Sequence, residues 1–130
     1  MTVSHPIPGF LWITQLAEQL NLRIARHVQE WPTFEKESLG DQLVRATDSI
    51  GLNISEGYVR VHLKERLHFL SIADGSVEEA LFAIRRARDR ELLSRLDAWT
   101  LSNLLIKMSR ALNAFASALR KTATVSLVQE

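Results

Sequence analysis

From Leu101 onward the chain places an apolar residue at alternating steps of four and three: Leu101, Leu105, Met108, Leu112, Phe115 and Leu119. A stripe of that period runs along one side of an α-helix, and a helix that carries it must bury the stripe against other helices. The same rhythm recurs three more times. Ile13, Leu16, Ala17, Leu20, Ile24 and Val28 predict a first helix from Phe10, ended by Trp31-Pro32-Thr33. Leu39, Leu43, Ala46, Ile50, Asn53 and Gly57 predict a second. Leu67, Leu70, Asp74, Val77, Leu81 and Ile84 predict a third from about Leu63, flanked by a stripe of small residues, Ala73, Ser76, Ala80, Ala83 and Ala87. The charged run 85–91 closes this helix, and Ser94 is a suitable cap for the fourth. No stretch alternates with the period of a strand, so the fold predicted is all-α: an up-down-up-down antiparallel four-helix bundle over residues 10–121. Residues 1–9 read as a short leader and 122–130 as a frayed tail.

A chain of 130 residues is one domain with room for a proper core. It has no cysteine, which removes disulfides, thiolate metal sites and thiol nucleophiles. The first residues lack a basic leader with a small-residue cleavage site, and no run approaches the ~18 apolar residues of a membrane span, so a cytoplasmic protein is expected. Apolar residues make up 46% of the chain, more than one seam per helix requires. Leu11, Trp12, Leu52, Ile72, Phe82 and Leu104 lie beside or off the stripes, and this surplus predicts a homo-oligomer.

Residues 49–60, SIGLNISEGYVR, place two glycines, an asparagine and a glutamate within a helical rhythm. Helix-interior glycine costs about 1 kcal/mol relative to alanine, and an unpartnered buried polar side chain costs more. The reading that resolves this has Gly57 end helix two, while Ser49, Asn53 and Glu56 hydrogen-bond across to Ser76, Glu79 or Asp74. Gly75 and Ala73 then allow the two helices to come close.

Chemistry-bearing motifs are scarce. Glu65 and His68 form a Glu-x-x-His pair of the type that ligates di-iron in bundles, but such a site needs a second pair and two further carboxylates. The chain offers only one, so no metal and no cofactor are expected. There is no phosphate-binding glycine loop and no motif-anchored Ser/His/Asp set, so no catalytic residue is assigned and an enzyme is not expected.

Basic residues gather at two turns: Arg60, His62, Lys64, Arg66 and His68 at the entry to helix three, and Arg85, Arg86, Arg88, Arg90 and Arg95 at its exit. Glu65, Glu78, Glu79, Asp89 and Glu91 stand at pairing distances along the helix, so each cluster is either a solvated face or a phosphate-binding patch. Net charge is only +1, so a polyanion would have to be met locally. The candidate nucleic-acid contacts are Arg60, Lys64, Arg66, Arg85, Arg86, Arg88 and Arg90. Aromatic neighbours are few, chiefly Tyr58 and Phe69, which favours shape and phosphate recognition over base stacking.

Two linked blocks carry a family resemblance. Gln42, Leu43, Arg45, Ala46, Ser49, Ile50, Asn53, Ile54, Glu56 and Gly57 form the first, and Arg60 follows it. Glu65, Phe69, Leu70, Ile72, Ala73, Gly75, Ser76 and Glu79 form the second. Together they resemble the 23S rRNA intervening-sequence proteins, bacterial four-helix bundles related to the accessory variability determinant of diversity-generating retroelements. Gly51 stands where proline is common in that pattern, and His68 where arginine is usual. The resemblance implies a cytoplasmic bundle assembled into a ring, typically a pentamer, and makes Ser49, Asn53, Glu56, Gly57, Glu65, Gly75, Ser76 and Glu79 the polar framework of the motif. The retroelement relatives bind a reverse transcriptase and its RNA. For the intervening-sequence members the resemblance implies little about activity.

The leading expectation is a non-enzymatic, ring-forming bundle that binds structured RNA or DNA, as an accessory to a reverse transcriptase or to RNA processing. The alternative is a homo-oligomeric protein-interaction scaffold without nucleic-acid affinity of its own.

Overall fold

The structure, a computed structural model, describes residues 9–129. The leader read at residues 1–9 lies outside these apart from Gly9. Helix α1 spans Phe10–Gln29 and buries Ile13, Leu16, Ala17, Leu20, Ile24 and Val28, the stripe its spacing predicts. Trp31 folds back into the core at 6% exposure, and Pro32 opens the next helix by offering its carbonyl to the Lys36 N–H at 2.8 Å.

Helix α2 is built from three consecutive segments: Thr33–Glu35, a π-helical turn Lys36–Gly40, and Asp41–Tyr58. It thus begins before Leu39, the first residue of its apolar series. The wider turn inserts an extra residue into the helical repeat and brings Leu39 and Gly40 into the core. A Cβ on Gly40 would lie 2.6 Å from Val28 Cγ1 and 3.2 Å from the Glu35 carbonyl oxygen, so only glycine lets α2 approach α1 here.

Helix α3 spans Leu63–Asp89. Its small stripe is its most deeply buried face: Ala73, Ala80, Ala83 and Ala87 have no exposed surface, and Val77 and Ile84 pack beside them. The helix ends with Glu91 in the left-handed conformation at φ 61°. The Leu92 N–H then reaches the Ala87 carbonyl at 2.8 Å and the Glu91 N–H the Arg88 carbonyl at 3.0 Å, the paired bonds of a Schellman ending. Ser94 caps α4, its Oγ accepting from the Asp97 N–H at 3.0 Å. Helix α4 spans Arg95–Gln129 and buries Leu101, Leu105, Met108, Leu112 and Phe115. Its backbone is helical through Gln129.

Each helix packs against its neighbours in sequence, and α4 closes back on α1. Cross-helix partners run in opposite order. Phe10 stacks on Tyr58 at 3.7 Å, Asn21 bonds Thr47 at 2.9 Å, and Gly40 meets Val28, so α1 and α2 are antiparallel. Gly57 meets Phe69, Ser49 meets Ser76 and Glu35 pairs with Arg90, so α2 and α3 are too. The all-α four-helix architecture is as expected, with no strand among the described residues. Nor is any of the described helices long and apolar enough to cross a membrane.

The polar seam is wired differently from the sequence reading. Ser49 and Ser76 do meet across the helices, at 2.8 Å. Asn53, however, turns back along its own helix to the Ser49 carbonyl at 2.8 Å and Ser49 Oγ at 3.0 Å, because its side chain is short enough to close one helical turn. Asp74 accepts from Ser109 Oγ of α4 at 2.7 Å, and Glu56 pairs with Arg60 at 3.0 Å. Gly57 is not a helix end. The helix continues through Tyr58, and the residue is needed because a Cβ there would stand 3.2 Å from Phe69 Cβ and 3.3 Å from the Arg66 carbonyl oxygen. Gly75 has no atom within 4 Å of its would-be Cβ and lies on the exposed face of α3, so close packing within the chain does not explain it.

Candidate nucleic-acid interface

The two arginines of the first basic cluster are engaged inside the molecule. Arg60 pairs with Glu56, and its guanidinium lies 4.9 Å from the Phe69 ring centroid. Its Nε is buried without a hydrogen-bond partner, a consequence of turning the guanidinium toward ring and carboxylate together. Arg66 donates from Nε to the Arg60 carbonyl and so ties the α2–α3 turn. Lys64, Glu65 and His68 face outward, and no group of three or more His, Asp or Glu side chains converges among the described residues.

Helical rotation splits the second cluster into two faces. Arg86 and Arg90 turn toward α2. Arg86 covers the half-exposed Phe82 ring at 4.4 Å, and Arg90 reaches Glu35 at 3.0 Å. Arg85 and Arg88 turn toward α4, where Arg95, Trp99 and Ser102 join them around a cleft of about 310 Å³. Ile84 and Ala98 form its buried floor. No carboxylate of the described residues comes within 4.0 Å of the three arginines here. Trp99 is 66% exposed. The sequence reading took Tyr58 and Phe69 as the aromatic neighbours of the basic clusters and missed Trp99. The signal was present: Trp99 lies two residues before Leu101 and thus off the buried stripe, one helical turn beyond Arg95.

A second open groove, about 500 Å³, follows the α2–α3 seam. Gln42, Arg45, Ser49, Ile72, Gly75 and Glu79 line it, all from the two motif blocks. Arg45 pairs with Asp41 along its own helix at 2.9 Å. The motif therefore supplies the lining of an open groove as well as internal bonds. Of the apolar residues placed beside the stripes, Leu11, Trp12, Leu52, Ile72 and Phe82 are exposed, whereas Leu104 packs against the core.

Comparison with known proteins agrees with these blocks. A search of curated proteins finds no match. Among solved structures, a protein of unknown function from the S23 ribosomal protein family of Bacteroides thetaiotaomicron superposes with a TM-score of 0.77. It shares 18% sequence identity, and the match covers 84% of this chain and 98% of that one, a likeness of fold. The profile of the 23S rRNA-intervening sequence proteins matches residues 11–114, which takes in both motif blocks, the α2–α3 groove and the arginine cleft. On that match, the chain belongs to the 23S rRNA-intervening sequence protein family.

Proposed function

We propose that this protein is a non-enzymatic, ring-forming homo-oligomer that binds structured nucleic acid, RNA or DNA, through its phosphates. The observation that carries this reading is the set of Arg85, Arg88 and Arg95, three exposed guanidinium groups on one cleft with no carboxylate partner among the described residues. Arg45, Arg60 and Arg90 pair with carboxylates, whereas Arg23, Arg26, Arg110 and Arg120 stand singly without one among the described residues; what sets Arg85, Arg88 and Arg95 apart is that they share one cleft. Three guanidinium groups lining one cleft offer several fork-shaped donor sets, the chemistry with which arginine grips phosphate. In the proposed ring a weak patch is repeated and the whole becomes avid. Exposed Ile72 and Phe82, with Gly75 open beside them, supply an apolar face for contact between copies. The resemblance of the motif blocks is the support for a cytoplasmic pentamer, and its retroelement relatives are the support for a place beside a reverse transcriptase; a role in RNA processing is the other form of the proposal.

Fluorescence anisotropy with a structured RNA and a matched DNA, titrated across salt concentrations, tests this function. Submicromolar binding with a steep negative log-log salt slope is expected, and Arg85→Glu/Arg88→Glu/Arg95→Glu should abolish it while leaving the sedimentation coefficient unchanged. Absence of binding at low salt overturns it. The α2–α3 groove favours a second reading, an oligomeric scaffold for another protein, and that reading then stands.

A further inference from the structure

Every other cation–aromatic contact in the described structure is closed within the chain. Arg60 covers Phe69, Arg86 covers Phe82, and Lys107 sits 6.0 Å over Trp12. Trp99 differs. Three guanidinium groups share its cleft, yet none covers its ring. The largest aromatic side chain in the repertoire is thus left 66% exposed at the start of a well-capped helix, over the rigid floor of Ile84 and Ala98.

We infer that this cleft takes an unpaired nucleotide, its base stacked on Trp99 and its flanking phosphates held by Arg85, Arg88 and Arg95. The inference rests on the nucleic-acid reading above and narrows it from phosphate recognition to recognition of a single-stranded segment. A duplex hides its base faces in its own stack, whereas a loop, bulge or strand end offers one. Indole stacking and guanidinium–phosphate contact are complementary parts of single-strand binding and accept any base. The cleft volume of about 310 Å³ lies at the lower end of the range of roughly 300–1,000 Å³ for small-molecule sites, a size that suits one nucleotide. Ser102 on the wall adds a hydroxyl that can both donate and accept toward a base edge or sugar.

The test is anisotropy of the full chain with a labelled single-stranded RNA of mixed sequence and with its blunt-ended duplex, each at several salt concentrations. Wild type should prefer the single strand. Trp99→Ala should weaken single-strand binding by about tenfold. It should leave the duplex affinity and the salt slope unchanged, since no charge is removed, and Trp99→Phe should keep most of the affinity. Trp99 is exposed, so these variants test binding without disturbing the core. If Trp99→Ala weakens both ligands equally, or neither, while Arg85→Glu/Arg88→Glu still abolishes binding, the stacking inference is overturned and the phosphate reading survives. If wild type binds neither ligand at low salt, both fall.

Discussion

Ser76 Oγ of α3 donates to Ser49 Oγ of α2 at 2.8 Å, and Asn53 Nδ2 donates to the same Ser49 oxygen at 3.0 Å. One hydroxyl oxygen therefore joins two helices and one helical turn. Ser76→Ala and Ser49→Ala should each lower stability by about 1 kcal/mol, and the double variant by less than their sum, with a coupling of about 0.5–1.5 kcal/mol. Urea denaturation of the four proteins measures it. Strict additivity would show that the bond contributes nothing.

At the other end of α2, Gly40→Ala drives a methyl group toward Val28 Cγ1, and the chain has to shift to admit it. Overpacking of this type costs about 1–3 kcal/mol. The combination with Val28→Ala should be less destabilising than the two costs added. Thermal melts decide the matter: equal melting temperatures for wild type and Gly40→Ala would mean that the close approach does not hold.

Gly75→Ala separates what the helix gains from what the groove loses. With nothing near its Cβ, alanine should stabilise α3 by about 1 kcal/mol through helix propensity alone. If the α2–α3 groove is the contact between copies, the same methyl group should weaken self-association. Denaturation in dilute solution reads the first effect and sedimentation velocity across concentrations the second. A variant both stabilised and fully assembled would place the contact elsewhere.

Glu91 holds a left-handed conformation that suits glycine, φ 61° at the end of α3. Glu91→Gly should therefore stabilise the protein by up to about 1 kcal/mol, the relief of the Cβ clash exceeding the added freedom of the unfolded chain. A lower denaturation midpoint would show instead that the Glu91 side chain makes a compensating contact. The change also raises the charge next to the arginine cleft, so nucleic-acid affinity should rise rather than fall.

Much of this architecture is legible along the chain. Apolar steps of three and four give the helices. Trp31-Pro32-Thr33 marks the end of α1, and Ser94 caps α4. Ala73, Ala80, Ala83 and Ala87 announce the face of α3 that vanishes into the core. These signals are local or periodic, and each reports a preference that a segment expresses whatever its partners are. The π-helical turn at Lys36–Gly40 is not legible in this way, because it answers a packing demand from Val28 and Trp31 of the preceding helix and turn.

The sequence by itself determined that this chain forms a bundle of helices, which side of each helix is buried, and which two motif blocks assign it to its family. Only the tertiary structure decided what the polar and basic residues do. Arg85, Arg86, Arg88 and Arg90 look like one patch when written in a line. A helix turns about 100° per residue, so they divide between a face toward α2, where Phe82 and Glu35 engage them, and a face toward α4, where Arg95 and Trp99 wait on the next helix. Gly57 and Gly75 likewise look alike in sequence, yet one is pressed against Phe69 and the other stands open. Spacing along a chain fixes direction around one helix axis, whereas partnership depends on how that axis docks against the others, and docking is set by the packing of the whole core.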